Sequence, residues 1–242
     1  MNYKKISILI PVYNEEKTLG KLIELINKVS LPYNLKKEIV LINDCSTDNS
    51  KKIIDDLSAK DPSIRALHHK KNLGKGAALS SGLQVATGDL IFLQDADLEY
   101  DPQDYENLIK PIIEDDYDLI LGSRFLRQKP RFFTERGDPF FSHYIGNKMI
   151  IFTTNLLYNK KISDYEGCYK CFKKDILQQI SIKSKKFDFD NELICKSFRL
   201  KLKVGEVPIS YNPRHYSEGK KIKWHHGLHM LWTTVKWRVL PF

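Results

Sequence analysis

Apolar and polar residues follow one another in blocks along the first half of the chain, and the blocks predict strands joined by amphipathic helices. Five apolar runs have strand length: Ile6–Tyr13, Glu38–Ile42, Ile64–His68, Leu90–Leu93 and Tyr117–Leu121. Between them apolar residues recur at helical spacing, as at Leu19, Leu22, Ile23 and Ile26. Strands of nearly continuous apolar residues, separated by helices, indicate a mostly parallel sheet covered on both faces, and therefore an α/β fold.

Polar residues at the block boundaries predict where the helices begin. Asn14 follows the first strand and is a candidate cap for the first helix. Asp48 or a neighbour has the same place before the second helix. Asp101 and Pro102 mark the start of the helix after the fourth strand, because proline is tolerated in a first helical turn.

The regular alternation ends after Gly122, where a loop rich in arginine and lysine begins. The predicted elements beyond it are a helix (140–158), a short strand (168–172), a helix (188–200), a short strand (204–207) and a helix from Trp224 to the end. We find no repeat and no linker, so we predict one domain. The segment 224–242 is its basic C-terminal helix, with the apolar residues Leu228, Leu231, Trp232, Val235 and Val239 on one stripe.

Acidic residues follow three of the predicted strands. They lie in the segments 11–15, 43–48 and 94–99, the last of which contains Asp95, Asp97 and Glu99. Parallel strands bring their carboxyl ends to one edge of a sheet, where such folds bind ligands. Oxygen ligands in a buried place suit Mg²⁺ or Mn²⁺ together with substrate phosphates. The alternative is an Asp-x-Asp pair on an ordinary solvated loop.

Two glycines, Gly74 and Gly76, open the third helix within the segment Asn72–Ala78. Glycines allow a backbone to approach a ligand closely at a helix N-terminus. The spacing is not that of a P-loop, so it does not indicate ATP hydrolysis. Close packing of the helix on the sheet is the alternative interpretation.

The charge of the chain indicates acidic partners. There are 39 Lys and Arg against 30 Asp and Glu, a net charge of +9 over 242 residues, which suits nucleic acid, an anionic membrane or phosphorylated substrates. Residues 201–242 contain eight Lys and Arg, two Glu and all three tryptophans. A basic helix with a tryptophan and leucine face suits an anionic membrane surface, whereas the alternative is a helix whose stripe packs on the domain.

The remaining composition limits the class of protein. The longest apolar runs are about half of the ~20 residues that span a bilayer, and the N-terminus lacks the pattern of a signal peptide. The four cysteines show no disulfide framework, and the Cys168–Cys171 pair fits alternate positions of a strand better than a zinc site. We therefore expect a cytoplasmic protein that lies peripherally on the inner face of the membrane. We expect no nucleic-acid partner, because no recognition module is present.

Several motifs in order carry a specific resemblance. They are P-V-Y-N-E, N-D-C-S-T-D, N-L-G-K-G-A-A, D-A-D-L-E and G-S-R in the first half, and D-Y-E-G-C-Y-K-C-F-K, F-D-F-D-N-E-L and Y-N-P-R-H-Y-S-E-G-K-K-I-K-W in the second. The chain resembles the family 2 inverting glycosyltransferases of GT-A fold, in the branch of the dolichyl-phosphate mannose synthases and bacterial polyprenyl-phosphate glycosyltransferases. The likeness runs from about residue 6 to about residue 235.

The resemblance implies a nucleotide-sugar-binding half (1–122) and an acceptor-side half (123–223). In the first, Pro11, Tyr13, Glu15 and Asp44 would hold the nucleoside, and Lys75 would lie beside it. Asp95 and Asp97 would flank the diphosphate and its Mg²⁺ or Mn²⁺, with Glu99 as a further ligand. Arg214, Lys220 and Lys221 match a loop that closes over the diphosphate in relatives, or they form a solvated basic turn.

On the acceptor side the resemblance gives Arg124 and Arg136 the role of binding an acceptor phosphate. Asp164 matches an acid close to the acceptor, and Asp190 and Glu192 lie at the position of the candidate base in relatives with sugar acceptors. Three departures stand out: Asn43 and Cys45 replace residues of the usual D-D-G-S motif, and Glu166 replaces a Thr or Ser of many lipid-phosphate users.

The implied activity is metal-dependent, inverting transfer of a hexose from a UDP- or GDP-sugar to polyprenyl phosphate. The alternative is the same donor chemistry on a saccharide or another hydroxyl acceptor. A separate membrane partner and a homo-oligomer both stay open. Members of the branch often carry C-terminal transmembrane helices, and this chain has no apolar run long enough for one.

Overall fold

A computed structural model describes residues 3–127, 141–213 and 224–242. Its strands are β1 (Lys5–Val12), β2 (Lys36–Asn43), β3 (Ile64–His68), β4 (Leu90–Leu93), β5 (Leu119–Ser123), β6 (Lys170–Lys173) and β7 (Val204–Pro208). The helices are α1 (Leu19–Lys28), α2 (Ser50–Lys60), α3 (Lys75–Val85), α4 (Tyr105–Glu114), α5 (Arg124–Arg127), α6 (Phe141–Tyr158), α7 (Phe189–Arg199) and α8 (Trp224–Val239).

The strands form one seven-stranded sheet in the order β3-β2-β1-β4-β6-β5-β7. All pairs are parallel except those of β6, which runs antiparallel between β4 and β5. The predicted mostly parallel α/β sheet is confirmed. Strands from both halves of the chain contribute, because β5, β6 and β7 continue the sheet that β1 to β4 begin.

The hydrophobic pattern explains why these segments fold as they do. Ile6, Ile8, Leu9, Ile10 and Val12 of β1 are all fully buried, as a central strand covered on both faces requires. The predicted stripe Leu19, Leu22, Ile23 and Ile26 is the buried face of α1.

The order of the strands determines where a ligand can bind. Successive connections lead from β1 to β2 on one side, and β4 then pairs with β1 on the other. The carboxyl ends of β1 and β4 therefore border a topological switch point, where open α/β sheets form a crevice. The segments after β1, β2 and β4 meet at this edge.

The prediction that Asn14 caps the first helix is wrong. Helix α1 begins five residues later at Leu19, after Thr18. Asn14 has a left-handed backbone (φ 54°), and its Oδ1 accepts a hydrogen bond from the backbone N–H of Thr47 at 2.8 Å. The side chain therefore ties the loop after β1 to the loop after β2.

Helix α8 packs on the domain with one face and exposes an apolar face to solvent. Met230, Thr233, Thr234 and Trp237 are its buried residues, and they pack toward α6 and α7. Of the predicted stripe, Leu231 packs against the core, whereas Leu228, Trp232, Val235 and Val239 are exposed, Trp232 by 60% and Val239 by 70%. Within the described residues, no helix combines the length and hydrophobicity needed to cross a membrane.

Candidate active site

Asp44 organises the donor edge of the sheet. Its buried carboxylate accepts hydrogen bonds from the backbone N–H groups of Leu73 (2.8 Å) and Gly74 (2.7 Å). The same carboxylate lies 2.7 Å from Nδ1 of His69, whose Nε2 contacts Ser81. Through these hydrogen bonds Asp44 holds the glycine-rich segment against the end of β2. Sequence reasoning missed His69, which has no motif of its own.

The end of β1 supplies the other predicted nucleoside contacts. Pro11 and Tyr13 are partly exposed at this edge, whereas Glu15 is buried. Oε2 of Glu15 accepts a hydrogen bond from Thr18 Oγ1 at 2.9 Å, and its backbone N–H donates to Ser50 Oγ. The structure therefore brings Pro11, Tyr13 and Asp44 to one edge, and their role toward a nucleoside stays a prediction.

The glycines at the start of α3 are required by close backbone contact. Gly74 has a φ of +96°, in the region that favours glycine. A Cβ on Gly76 would lie 2.7 Å from the carbonyl oxygen of Lys186 and 2.8 Å from that of Ser184. The backbone N–H of Ala77 donates to the carbonyl of Lys185 at 3.0 Å. The segment before α7 thus packs directly on the glycine-rich helix start.

Lys75 and Asp95 form an ion pair inside the crevice. Nζ of Lys75 lies 2.6 Å from Oδ1 and 2.9 Å from Oδ2 of Asp95, and each side chain is 21% exposed. Burial alone would raise the pKa of Asp95, but the Lys75 ammonium outweighs it and the pKa is lowered. The pair places one cation and one anion where the strand ends converge.

The segment after β4 carries the predicted metal ligands Asp95, Asp97 and Glu99. Among the residues with described placement, no three His, Cys, Asp or Glu side chains lie together as metal ligands. Asp95 is paired with Lys75, and Glu99 is hydrogen-bonded to Tyr211, whose pKa is raised by burial and by this carboxylate. The role of these three carboxylates toward a metal stays a prediction.

Asp97 lies in a tight turn. Its Oδ1 accepts a hydrogen bond from the backbone N–H of Glu99 at 3.1 Å, and Leu98 between them has a left-handed backbone (φ 61°). A single carboxylate held this way fits a cation such as Mg²⁺, which keeps several waters and binds through one or two carboxylates plus substrate phosphates. The donor chemistry at Asp97 thus fits a metal held jointly with a diphosphate.

Arg124 and Asp164 form a buried ion pair on the predicted acceptor side. Nε and Nη2 of Arg124 donate to the two carboxylate oxygens of Asp164 at 2.7 Å and 2.9 Å. Asp164 is fully buried, and Arg124 is 12% exposed. Burial would raise the pKa of Asp164, yet the guanidinium holds it below its usual value. The sequence placed both residues near the acceptor without predicting that they bind each other.

Aromatic and basic residues surround this pair. The Arg124 guanidinium carbon lies 5.3 Å from the centre of the Tyr211 ring and 5.5 Å from that of Phe125. Nζ of Lys148, on α6, lies 4.2 Å from the Phe125 ring centre. A cation on α6 therefore borders the acceptor side, which the sequence did not predict.

A second buried ion pair lies between β6 and α7. Nζ of the fully buried Lys170 contacts Oδ1 of Asp190 at 2.9 Å and the carbonyl of Gly167 at 2.5 Å. Sequence reasoning missed Lys170, although a lysine within the short apolar run Cys168–Phe172 was a signal. A lysine buried in a strand needs an anionic partner.

Glu192 has the bonding of a structural carboxylate. It is fully buried and accepts hydrogen bonds from the backbone N–H groups of Lys183 and Ser184, and from Nζ of Lys196 at 2.5 Å. These donors occupy both oxygens. Glu192 thereby holds the segment that packs on Gly74 and Gly76, and its predicted role as a candidate base stays a prediction.

Four predicted residues lie outside the described part of the chain. They are Arg136, Arg214, Lys220 and Lys221. Their roles stay predictions from the sequence.

A mostly parallel sheet with polar strand ends at its switch point defines the class of protein as an α/β protein with a ligand-binding edge. The family model of "Glycosyl transferase family 2" matches residues 7–181. The chain therefore belongs to glycosyl transferase family 2.

Two proteins similar in sequence to this chain have names that state their activity. A UDP-N-acetylglucosamine–dolichyl-phosphate N-acetylglucosaminyltransferase of Methanococcus voltae is 28% identical over 231 residues, covering 88% of each chain. A dodecaprenyl-phosphate galacturonate synthase of Rhizobium johnstonii is 24% identical over 220 residues, covering 89% of this chain and 61% of that protein.

Among solved structures, glucosyl-3-phosphoglycerate synthase of Mycobacterium tuberculosis with Mn²⁺, UDP-glucose and glycerol 3-phosphate superimposes with a TM-score of 0.70. The identity is 16%, and the match covers 99% of this chain and 82% of that one. At this identity the likeness shows the fold.

Proposed function

We propose that this chain transfers a hexose, with inversion, from a nucleotide diphospho-sugar to a polyprenyl phosphate at a membrane surface. The observation that carries the proposal is the continuity between the Arg124 site and an exposed apolar surface on α6 and α8. The names of the relatives from Methanococcus voltae and Rhizobium johnstonii, which contain dolichyl phosphate and dodecaprenyl phosphate, support the same acceptor class.

The donor side suits a nucleoside diphosphate as leaving group. Lys75 supplies a cation at the strand ends, and Asp97 would hold a divalent cation together with the diphosphate oxygens. When bound, that cation would neutralise charge that develops on the leaving group. UDP-glucose and Mn²⁺ in the Mycobacterium tuberculosis structure support a nucleotide-sugar donor with a divalent metal.

The acceptor side suits an anion. Arg124 is fixed by Asp164 through Nε and Nη2, so its remaining Nη1 is held in a defined place beside Tyr211. A guanidinium held by packing loses little freedom when it binds a phosphate. Lys148 lies on the same side, at the start of the apolar surface.

The apolar surface of α6 and α8 fits a bilayer. Met149, Phe152 and Leu156 on α6 are 55%, 68% and 70% exposed, and Leu228 and Trp232 on α8 are 61% and 60% exposed. The two helices pack on each other through Tyr158, whose hydroxyl donates to the carbonyl of Thr234 at 2.9 Å. Neither helix sequence contains Asp or Glu, so the surface suits an anionic lipid headgroup region.

Membrane contact is tested by flotation with vesicles that contain phosphatidylglycerol. Burying a large apolar side chain is worth about 1.5–3 kcal/mol, so Phe152→Ser and Trp232→Ser should each lower the partition coefficient about tenfold. Tyr33→Ser is the matched control, because Tyr33 is 47% exposed on a different part of the surface. Equal binding by all three variants would contradict the membrane surface.

The acceptor role is tested with Arg124→Lys, which keeps the charge and removes the guanidinium fork. We expect kcat/KM for polyprenyl phosphate to fall about 100-fold, while the Kd for the nucleoside diphosphate, measured by calorimetry, stays within about twofold. An equal loss in acceptor use and donor binding would refute a phosphate site at Arg124.

A further inference from the structure

Two carboxylates on the acceptor side are paired with cations: Asp164 holds Arg124, and Asp190 holds the buried Lys170. A third, Glu206, accepts hydrogen bonds from the backbone N–H groups of Ser163 and Asp164. Glu166 differs from these three. Within the described residues it has no ion pair, and its side chain is partly exposed at the site.

The hydrogen bonding of Glu166 is incomplete. Its Oε1 accepts a hydrogen bond from Nδ2 of Asn191 at 3.0 Å, and Oε2 has no partner in the described part of the chain. The amide oxygen of Asn191 is buried and also lacks a partner there. Buried polar atoms are almost always paired. We therefore expect a further polar group, such as one of a bound substrate, to lie beside Oε2 of Glu166 and the amide oxygen of Asn191.

Asn191 can serve both protonation states of Glu166. Its NH₂ group donates to an ionised carboxylate, and its oxygen would accept from a protonated one after rotation of the amide. Tyr165 contributes a hydroxyl 3.2 Å from Nδ2 of the same amide. The pair is therefore suited to a carboxyl group that gains and loses a proton.

The surroundings adjust that proton equilibrium. Burial raises the pKa of Glu166, the neighbouring carboxylates Asp190 and Asp164 add to the rise, and Lys170 and Arg124 oppose it, so that the pKa lies at about 7. The ionisable groups that face Glu166 are Arg124, Asp164, Tyr165, Lys170, Asp190 and Cys195. A carboxyl group with this value exchanges protons effectively at neutral pH.

We propose that Glu166 is the proton acceptor of the transfer reaction, acting through Oε2 on the acceptor group. The inference rests on the proposed function and adds a catalytic residue to it. The proton of a monoprotonated acceptor phosphate moves to Oε2 as the phosphate oxygen forms a bond to the anomeric carbon. The bond from that carbon to the diphosphate breaks at the same time, and its electron pair leaves with the nucleoside diphosphate.

The other two candidate bases are less suited to this step. Asp190 already accepts a hydrogen bond from the Lys170 ammonium, and the oxygens of Glu192 are occupied by Lys196 and two backbone N–H groups. Protonating either would leave a buried lysine without its counter-charge, which is costly. Within the described residues, Glu166 forms no ion pair with a lysine or arginine that its protonation would break.

The experiment measures kcat and KM against pH for wild type, Glu166→Gln and Asp190→Asn, with Glu24→Gln, an exposed position on α1, as matched control. Polyprenyl phosphate transfer and slow hydrolysis of the nucleotide sugar are both followed, because water takes the place of the acceptor in hydrolysis. We expect Glu166→Gln to lower kcat 100-fold or more in both reactions. We also expect it to remove the limb of the pH–rate profile, that is, the rise in kcat near pH 7 that deprotonation of Glu166 causes in the wild type. The KM for donor should change less than about twofold.

Asp190→Asn discriminates between the two carboxylates. Removing its charge lowers the pKa of Glu166, so the limb should move to lower pH while persisting. If the limb disappears in Asp190→Asn and persists in Glu166→Gln, Asp190 is the base and the inference is overturned. The wild type could hydrolyse the nucleotide sugar with the Glu166-dependent limb and yet transfer no sugar to polyprenyl phosphate. In that case polyprenyl phosphate is not the acceptor, and the role of Glu166 as proton acceptor stands. A wild-type rate without this limb in either reaction overturns the inference.

Discussion

Replacement of Asp164 by Asn tests whether the buried ion pair with Arg124 holds the acceptor side together. The carboxylate accepts four hydrogen bonds, from the Nε, Nη2 and backbone N–H of Arg124 and from the backbone N–H of Glu166. Asn keeps the shape but turns an NH₂ group toward these donors. It leaves the guanidinium buried without a counter-charge.

The magnitude follows from this burial. Removing one partner of a buried ion pair costs about 3–5 kcal/mol, because the remaining charge is neither solvated nor paired. That corresponds to about two to four powers of ten in the equilibrium constant of unfolding.

Asp116→Asn provides the matched control. Asp116 pairs with Lys173 at 2.6 Å, but its side chain is 81% exposed and Lys173 keeps Asp118 as a second partner at 3.0 Å. An exposed pair of this kind contributes little to stability, because water solvates the Asp116 carboxylate. The two variants make the same chemical change in opposite environments.

The assay is urea denaturation of wild type and both variants at pH 7, followed by circular dichroism. We expect a loss of about 3–5 kcal/mol in Asp164→Asn, and in Asp116→Asn an unfolding midpoint close to that of wild type. Losses within about 0.5 kcal/mol of each other would refute the reasoning from burial.

The pH dependence has a definite sign. The folded-state pKa of Asp164 lies below its ordinary value of 3.8, so the stabilisation is present at neutral pH and is lost as the pH falls below about 4. The difference between wild type and Asp164→Asn should therefore narrow as the pH falls from about 4.

Variants at Gly76, Asp97 and Glu166 test separate parts of the site. In thermal unfolding, Gly76→Ala should destabilise the protein by about 1–3 kcal/mol, because the added Cβ meets backbone oxygens. Gly20→Ala is its control: the added Cβ meets open space, so this variant should stabilise α1 by about 0.5–1 kcal/mol. Asp97→Ala should reduce transfer more than 100-fold with an unchanged circular dichroism spectrum, and retained activity in the presence of EDTA would argue against a metal there. The folded-state pKa of Glu166 is raised from 4.5, so its stabilisation is lost as the pH rises toward 7. Glu166→Gln should then gain stability relative to wild type between pH 5 and pH 8, and no such gain would contradict the raised pKa.

Hydrophobic patterning predicted the fold because buried strands and one-sided helices leave a clear periodicity. The runs around β1, β2, β4 and β5 lie inside the sheet and are nearly all apolar, so their positions were recognised to within a few residues, and the edge strand β3 was recognised by its short run Ile64–His68. The direction of β6 was not accessible, because a four-residue strand that contains Lys170 does not reveal its neighbours. Its antiparallel place between β4 and β5 is determined by packing across the whole sheet.

The site was predicted in part for the same reason. Residues that follow strands directly, such as Asp44 and Asp95, reach the expected edge. The pairing of Arg124 with Asp164 and of Lys170 with Asp190 joins residues far apart in sequence, and only the fold brings them together. The exposed face of α6 was hidden because apolar residues occur on almost every side of that helix.

The most direct measurement of the proposed activity is transfer of radiolabel from a panel of nucleotide sugars, including UDP-N-acetylglucosamine, to lipid in anionic vesicles. Polyprenyl phosphate and the matched polyprenol are compared, with and without EDTA. The account predicts butanol-extractable label with the phosphate, none with the alcohol, and loss of label when the divalent cation is removed. Equal labelling of the polyprenol, or no lipid labelling from any nucleotide sugar, would contradict it.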